Sequence, residues 1–194
     1  MSRLLKGLLV CLLLLLGAVA GCGGQSGGDR ADEWNRLMDQ ANALIDGTIA
    51  GTTQNAELLG KVNGIDPTAK NAADALPLLA DVVANLGEMK QSQESLAALC
   101  DKLAKLDVSE EDKTYARQQK EIAELNIESF ALAFEMLANY EFLYSKGRTL
   151  SQAKLEQNGK ERTEIIAKYN EMYGRIGDKV QASEQYRADN PGGE

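Results

Sequence analysis

The chain has 194 residues, with 21 basic against 29 acidic side chains and no histidine. Nucleic acid is excluded as a natural partner for so acidic a surface, because its phosphates reward Lys and Arg. The missing histidine removes the commonest general base, metal ligand and haem ligand together, and with them the Glu-x-x-His pairs of di-iron bundles.

The amino-terminal segment is ordered basic, apolar, small. Arg3 and Lys6 precede an apolar run from Leu8 to Leu16, interrupted only by Cys11, and Gly17, Ala18, Ala20 and Gly21 follow it. This is the layout of a secretory signal, and the run is shorter than the roughly 20 residues a membrane-spanning helix needs. It ends in Val19-Ala20-Gly21-Cys22, which resembles the lipobox of bacterial lipoproteins: an aliphatic residue, two small ones, then cysteine. The resemblance covers residues 1–22 alone. It implies cleavage before Cys22, a diacylglycerol thioether on its sulfur, and acylation, as by palmitate, of the new amino terminus. Two lipid signals are what stable attachment requires. Gly23 stands where aspartate does not, and in a Gram-negative host that pattern resembles cargo for the outer membrane, facing the periplasm. The expected location is the bacterial cell envelope, held to a membrane by lipid.

Residues 22–28 read as the lipidated cysteine and a Gly/Ser-rich tether, Gly23-Gly24-Gln25-Ser26-Gly27-Gly28. Such a coil spans about 13 Å, so the folded part stays near the bilayer. No strand precedes these glycines and no Gly-Lys-Ser/Thr follows, so they do not make a phosphate loop. With the signal (1–21) removed, 19 basic residues face 29 acidic ones, a balance of −10. That balance keeps the domain from lying flat on anionic lipid; the lipid does the membrane binding. Cys11 leaves with the signal and Cys22 is lipidated, so Cys100 has no partner for an intramolecular disulfide.

Residues 29–189 carry helical periodicity throughout. Starting near Asp29 or Asp32, Trp34, Leu37, Met38, Ala41, Leu44, Ile45, Thr48 and Ile49 recur at spacings of three and four, and Leu58, Leu59 and Val62 continue the pattern. Gly47, Gly51 and Gly60 weaken the middle, which fits either one long helix or a break near Gly51. Gly64 ends this element, Asp66 caps the next and Pro67 suits its first position. The second helix places Leu76, Leu79, Val83, Leu86, Gln93, Leu96, Cys100 and Leu103 on one stripe, with a kink or restart expected at Pro77. Ser109 followed by Glu110, Glu111 and Asp112 opens a third helix to about Lys146. Thr149-x-x-Gln152 opens the fourth as a capping box. Its apolar face holds Ile165, Tyr169, Met172, Tyr173, Ile176 and Val180, and Asn158-Gly159 threatens its first third. Residues 190–194 read as a loose tail. Short connections between long helices favour antiparallel neighbours, and four such amphipathic helices bury their stripes as an all-α, four-helix bundle.

Glu121, Glu124, Glu128 and Glu135 point within about 60° of one another on the third helix, nearly opposite Tyr115, Ile122, Ala133, Leu137, Tyr140 and Tyr144. They read as a solvated face rather than a carboxylate metal site. Gln119, Asn126 and Ser129 fall within the apolar face, as Gln93 does on the second helix. Buried polar groups need partners, so these four read as hydrogen-bonded core residues that fix register, with a polar cavity lining as the alternative. Phe130 with Phe134, Tyr140 with Tyr144 and Tyr169 with Tyr173 form pairs four apart. They read as core filler, or else as an aromatic pocket between the last two helices. Cys100 reads as a buried thiol. No catalytic residue, metal ligand or cofactor site can be named, since serine or cysteine without histidine needs a lysine base and nothing in the sequence pairs a lysine with either. The expected function is non-enzymatic: a lipid-anchored interaction or structural module of the envelope with a protein partner. The alternative is a small-molecule-binding bundle using Asn126, Tyr140, Tyr144, Tyr169 and Tyr173.

Overall fold

A computed structural model describes residues 29–190. The signal, Cys22, the tether and the tail beyond Asn190 lie outside the described residues. Four long helices follow in order: α1 (Asp29–Asn63), α2 (Ala75–Leu103), α3 (Glu110–Lys146) and α4 (Gln152–Asp189), with short 3₁₀ turns at Ala72–Asp74 and Gly147–Thr149. No strand occurs among the described residues, so the all-α expectation holds.

α1 runs unbroken through its glycines. Each glycine lowers helix propensity, but burial of the amphipathic face supplies most helical stability in a folded protein. Leu37, Ala41, Leu58, Leu59 and Val62 provide that burial. Gly51 has a packing reason: a Cβ there would lie 2.8 Å from Met89 Cγ, so its absence lets α2 come close.

The chain after α1 departs from expectation. Gly64 N–H donates to the Lys61 carbonyl at 3.1 Å, closing α1 as anticipated. Asp66 does not cap the next helix; its carboxylate accepts from Thr68 N–H at 2.8 Å and from the Thr68 hydroxyl at 2.7 Å. Those bonds close a local turn instead of starting a helix, and α2 begins only at Ala75. Pro77 therefore falls in the first turn of α2, where a missing N–H costs no intrahelical bond. The restart alternative is the correct one.

The central stripe of the buried face of α2 is Ala75, Leu79, Val82, Leu86, Met89, Gln93, Leu96, Cys100 and Leu103, alternating steps of four and three, with Ala97 and Leu99 buried beside it. This 3.5-residue repeat is that of a left-handed supercoil. Val83, expected on the stripe, is 40% exposed, and Val82 is buried in its place.

α3 starts as read. Ser109 Oγ accepts from Asp112 N–H at 3.0 Å and donates to the Asp112 carboxylate at 2.8 Å. α4 is capped by Ser151, whose Oγ accepts from Lys154 N–H at 3.4 Å; Thr149 is not its cap. Thr149 sits in the 3₁₀ turn and its hydroxyl donates to the Lys146 carbonyl at 2.9 Å, while Leu150 is extended. Asn158-Gly159 does not interrupt α4. Asn158 is buried and its Oδ1 accepts from Arg162 one turn on at 3.4 Å.

Each helix packs along the next in the chain, and the side-chain bonds between them run in opposite chain directions. Thr48 and Asn55 of α1 meet Gln93 and Asn85 of α2. Asp101 and Gln93 of α2 meet Lys120 and Asn126 of α3. Asp112 and Tyr140 of α3 meet Arg187 and Arg162 of α4. The antiparallel bundle follows. Its largest apolar cluster lies toward the α1–α2 connection and takes residues from all four helices, including Leu59, Leu79, Leu137 and Tyr169. The two clusters toward the other end, around Cys100 and around Leu103, draw on α1, α2 and α3 and the connection after α2, without α4.

Candidate functional site

Gln93, Asn126 and Ser129 of the polar residues singled out on the apolar faces converge, whereas Gln119 is only half-buried and lies apart from them. Gln93 Nε2 donates to Thr48 Oγ1 at 3.1 Å, and its Oε1 accepts from Asn126 Nδ2 at 3.3 Å. The Thr48 hydroxyl in turn donates to the Leu44 carbonyl at 3.0 Å. Ser129 donates to the Asn126 carbonyl at 2.8 Å, and Gln119 Nε2 donates to Ser183 Oγ of α4 at 2.9 Å. One chain of neutral bonds thus crosses α1, α2 and α3. Asn55 and Asn85 make a second link between α1 and α2 at 3.1 Å. Asn55, Thr52 and Ser183 were not anticipated as buried polar residues, although Thr52 and Asn55 continue the three–four spacing of Thr48, Leu59 and Val62.

The six aromatic residues share the four-helix end. Phe130, Tyr144, Tyr169 and Tyr173 belong to the main cluster, with Phe134 and Tyr140 packed against it. Tyr169 and Tyr173 stack with centroids 6.0 Å apart and planes 25° from parallel. The Tyr144 hydroxyl donates to the carbonyls of Val62 at 2.9 Å and Ile65 at 3.2 Å, closing the α1 terminus onto α3. The Arg162 guanidinium sits 5.1 Å above the Tyr140 ring. Burial pushes the Tyr140 and Tyr144 hydroxyls above the ordinary tyrosine value, with Arg162 opposing the shift in both, so both stay protonated near neutral pH. Asn126 does not join this group: its amide is committed to Gln93.

The partly open space beside Tyr169 is about 20 Å³, lined by Asn55, Leu59, Val82, Leu86 and Met136 among others. That is about the room one water molecule needs, against the several hundred Å³ of small-molecule sites.

Glu121, Glu124, Glu128 and Glu135 all face solvent. Glu121 pairs with Lys179 at 2.7 Å and Glu124 lies 3.9 Å from Lys120. No group of three or more Asp, Glu or Cys among the described residues comes together as a metal site would. Cys100 is buried, and desolvation pushes its thiol up to about 12 against the pull of Lys120. It is the protonated form that burial favours, so the folded protein offers no thiolate nucleophile there. No helix among the described residues is long and apolar enough to cross a membrane.

No protein-family model, curated protein or solved structure matches the chain.

Proposed function

We propose that this chain is a lipid-anchored protein of the bacterial envelope whose helical bundle is a non-enzymatic interaction or structural module. The observation that carries the reading is Val19-Ala20-Gly21-Cys22, placed directly after a basic and then an apolar segment. The interior is consistent with that reading. Its polar side chains are neutral amides and hydroxyls joined to one another, and such groups set helix register without moving protons. The anchor supplies effective concentration at a surface, which raises occupancy of any partner on the same membrane without new contact energy. The mature chain's balance of −10 disfavours the bundle lying flat on anionic lipid.

Replacing Cys22 with serine tests the anchor. Lipid labelling is then lost and the domain leaves the membrane fraction; retention of the label, or of membrane attachment, ends the proposal. Crosslinking in the native membrane followed by co-purification then identifies the partner.

A further inference from the structure

We propose that the last third of α4, from Gly177 to Asp189, is a strap that comes off α3 as a unit, hinged at Gly174 and Gly177 and latched by Arg187. Three independent observations meet at this boundary.

The first is where the apolar anchors stop. α4 is seated by Ile165, Tyr169, Tyr173 and Ile176, all buried; beyond Ile176 its one buried residue is Ser183, and Val180 and Tyr186 are only half-buried. The apolar clusters beneath this part of the bundle close among α1, α2 and α3 and the connection that follows α2, so their integrity does not depend on α4.

The second is what holds the strap down. Three polar contacts cross from it to α3: Ser183 to Gln119 at 2.9 Å, Lys179 to Glu121 at 2.7 Å and Arg187 to Asp112 at 2.7 Å. The Lys179 pair is more than half exposed at both partners, whereas Arg187 and Asp112 are 20% and 17% exposed, with Arg187 also 5.2 Å above the Tyr115 ring. Exposed pairs contribute little and are screened by salt. Arg187 is therefore the principal latch.

The third is the pair of glycines. A Cβ at Gly174 or Gly177 would meet nothing within 4 Å, so close packing does not require glycine at either place. Each weakens the helix relative to alanine, and together they lie where the apolar anchors end. Once released, a segment of about a dozen residues is too short to remain helical in water, so opening exposes its amides. Opening also uncovers Tyr115, which is buried in the closed form.

Hydrogen–deuterium exchange of the full-length purified chain reads this directly. Amides of residues 178–189 are expected to exchange as a block, with a step in protection at Gly174–Gly177. The block exchanges about fivefold faster in 1 M than in 0.05 M NaCl, as loss of the screened contacts implies. Arg187→Gln speeds the block and leaves the salt response in place, because that response comes from the exposed Lys179–Glu121 pair. The double variant Gly174→Ala, Gly177→Ala, for which space is open, slows the block about fivefold or more. A protection profile that stays level past Gly177 and decays only in the final turn overturns the proposal. So does a block that Arg187→Gln leaves unchanged, or one that the alanines leave unchanged.

Discussion

In the buried contact between α2 and α3, the Gln93 side-chain oxygen accepts a hydrogen bond from Asn126 Nδ2 at 3.3 Å. Through Gln93 the bond continues to Thr48, so a single amide links three helices. Gln93→Leu leaves the Asn126 amide buried without that partner and is expected to cost about 1–3 kcal/mol. The double variant Gln93→Leu, Asn126→Leu removes both polar groups and should be less destabilised than the two single losses added together. Urea unfolding in a double-mutant cycle measures the coupling; strictly additive losses would show that the two side chains do not act as a pair.

Gly147 and Gly87 make opposite predictions for the same change. A Cβ at Gly147 would lie 2.8 Å from the Pro67 carbonyl oxygen, whereas one at Gly87 meets nothing within 4 Å. Backbone cannot swing aside as a flexible side chain does, so Gly147→Ala should destabilise by about 1–3 kcal/mol. Gly87→Ala should stabilise by about 0.5–1 kcal/mol through helix propensity alone. Thermal melts of the two variants side by side check the sign of each. A stabilising Gly147→Ala would mean that the α1–α2 connection does not approach the start of the α3–α4 turn.

Tyr144→Phe isolates one hydroxyl. That hydroxyl donates to two carbonyls at the end of α1, where carbonyls lack intrahelical partners. Removing it should cost about 1 kcal/mol, and should raise amide exchange around residues 60–66 more than elsewhere. An unchanged exchange profile there would separate the tyrosine from the closure of α1.

Much of this fold was legible in the sequence because helix faces repeat. Gln93 and Asn126 declared themselves as polar residues on apolar stripes, and both are buried and bonded. The misassignment of Val83 shows where periodicity runs out. From Leu79 to Leu86, a step of four then three and a step of three then four are equally regular. Only the wider stripe, from Ala75 through Met89, selects Val82. Thr149 failed as a cap for a similar reason: two hydroxyls stand two residues apart, and the extended Leu150 between them hands the role to Ser151. The aromatic pairs were rightly grouped, but Asn126 was grouped with them on sequence alone. The antiparallel packing places its bond partner on α2 rather than α4, and no spacing within α3 encodes that choice.

Alkaline pH should loosen the domain through Cys100 and Tyr115. Burial pushes the Cys100 thiol up to about 12 from an ordinary value near 9, and the Tyr115 hydroxyl up to about 12 from near 10. In both, the folded state holds the proton more tightly than the unfolded chain does. Their stabilising effect is therefore complete below pH 9 and is lost as pH rises toward 12. Lys120, raised by its bond to Asp101, acts in the same direction. Each of the two buried groups contributes a slope of up to about 1.4 kcal/mol per pH unit within its window. Denaturant unfolding at successive pH values should show stability falling above pH 9. In Cys100→Ala the onset should move toward pH 10 and the fall should be shallower, after a loss near pH 7 of about 1–2 kcal/mol from the vacated space. Iodoacetamide at pH 8.5 offers an independent check, because alkylation of Cys100 in the native protein should be far slower than in urea. Equal rates in the two conditions would place the thiol in contact with solvent and remove its share of the alkaline slope.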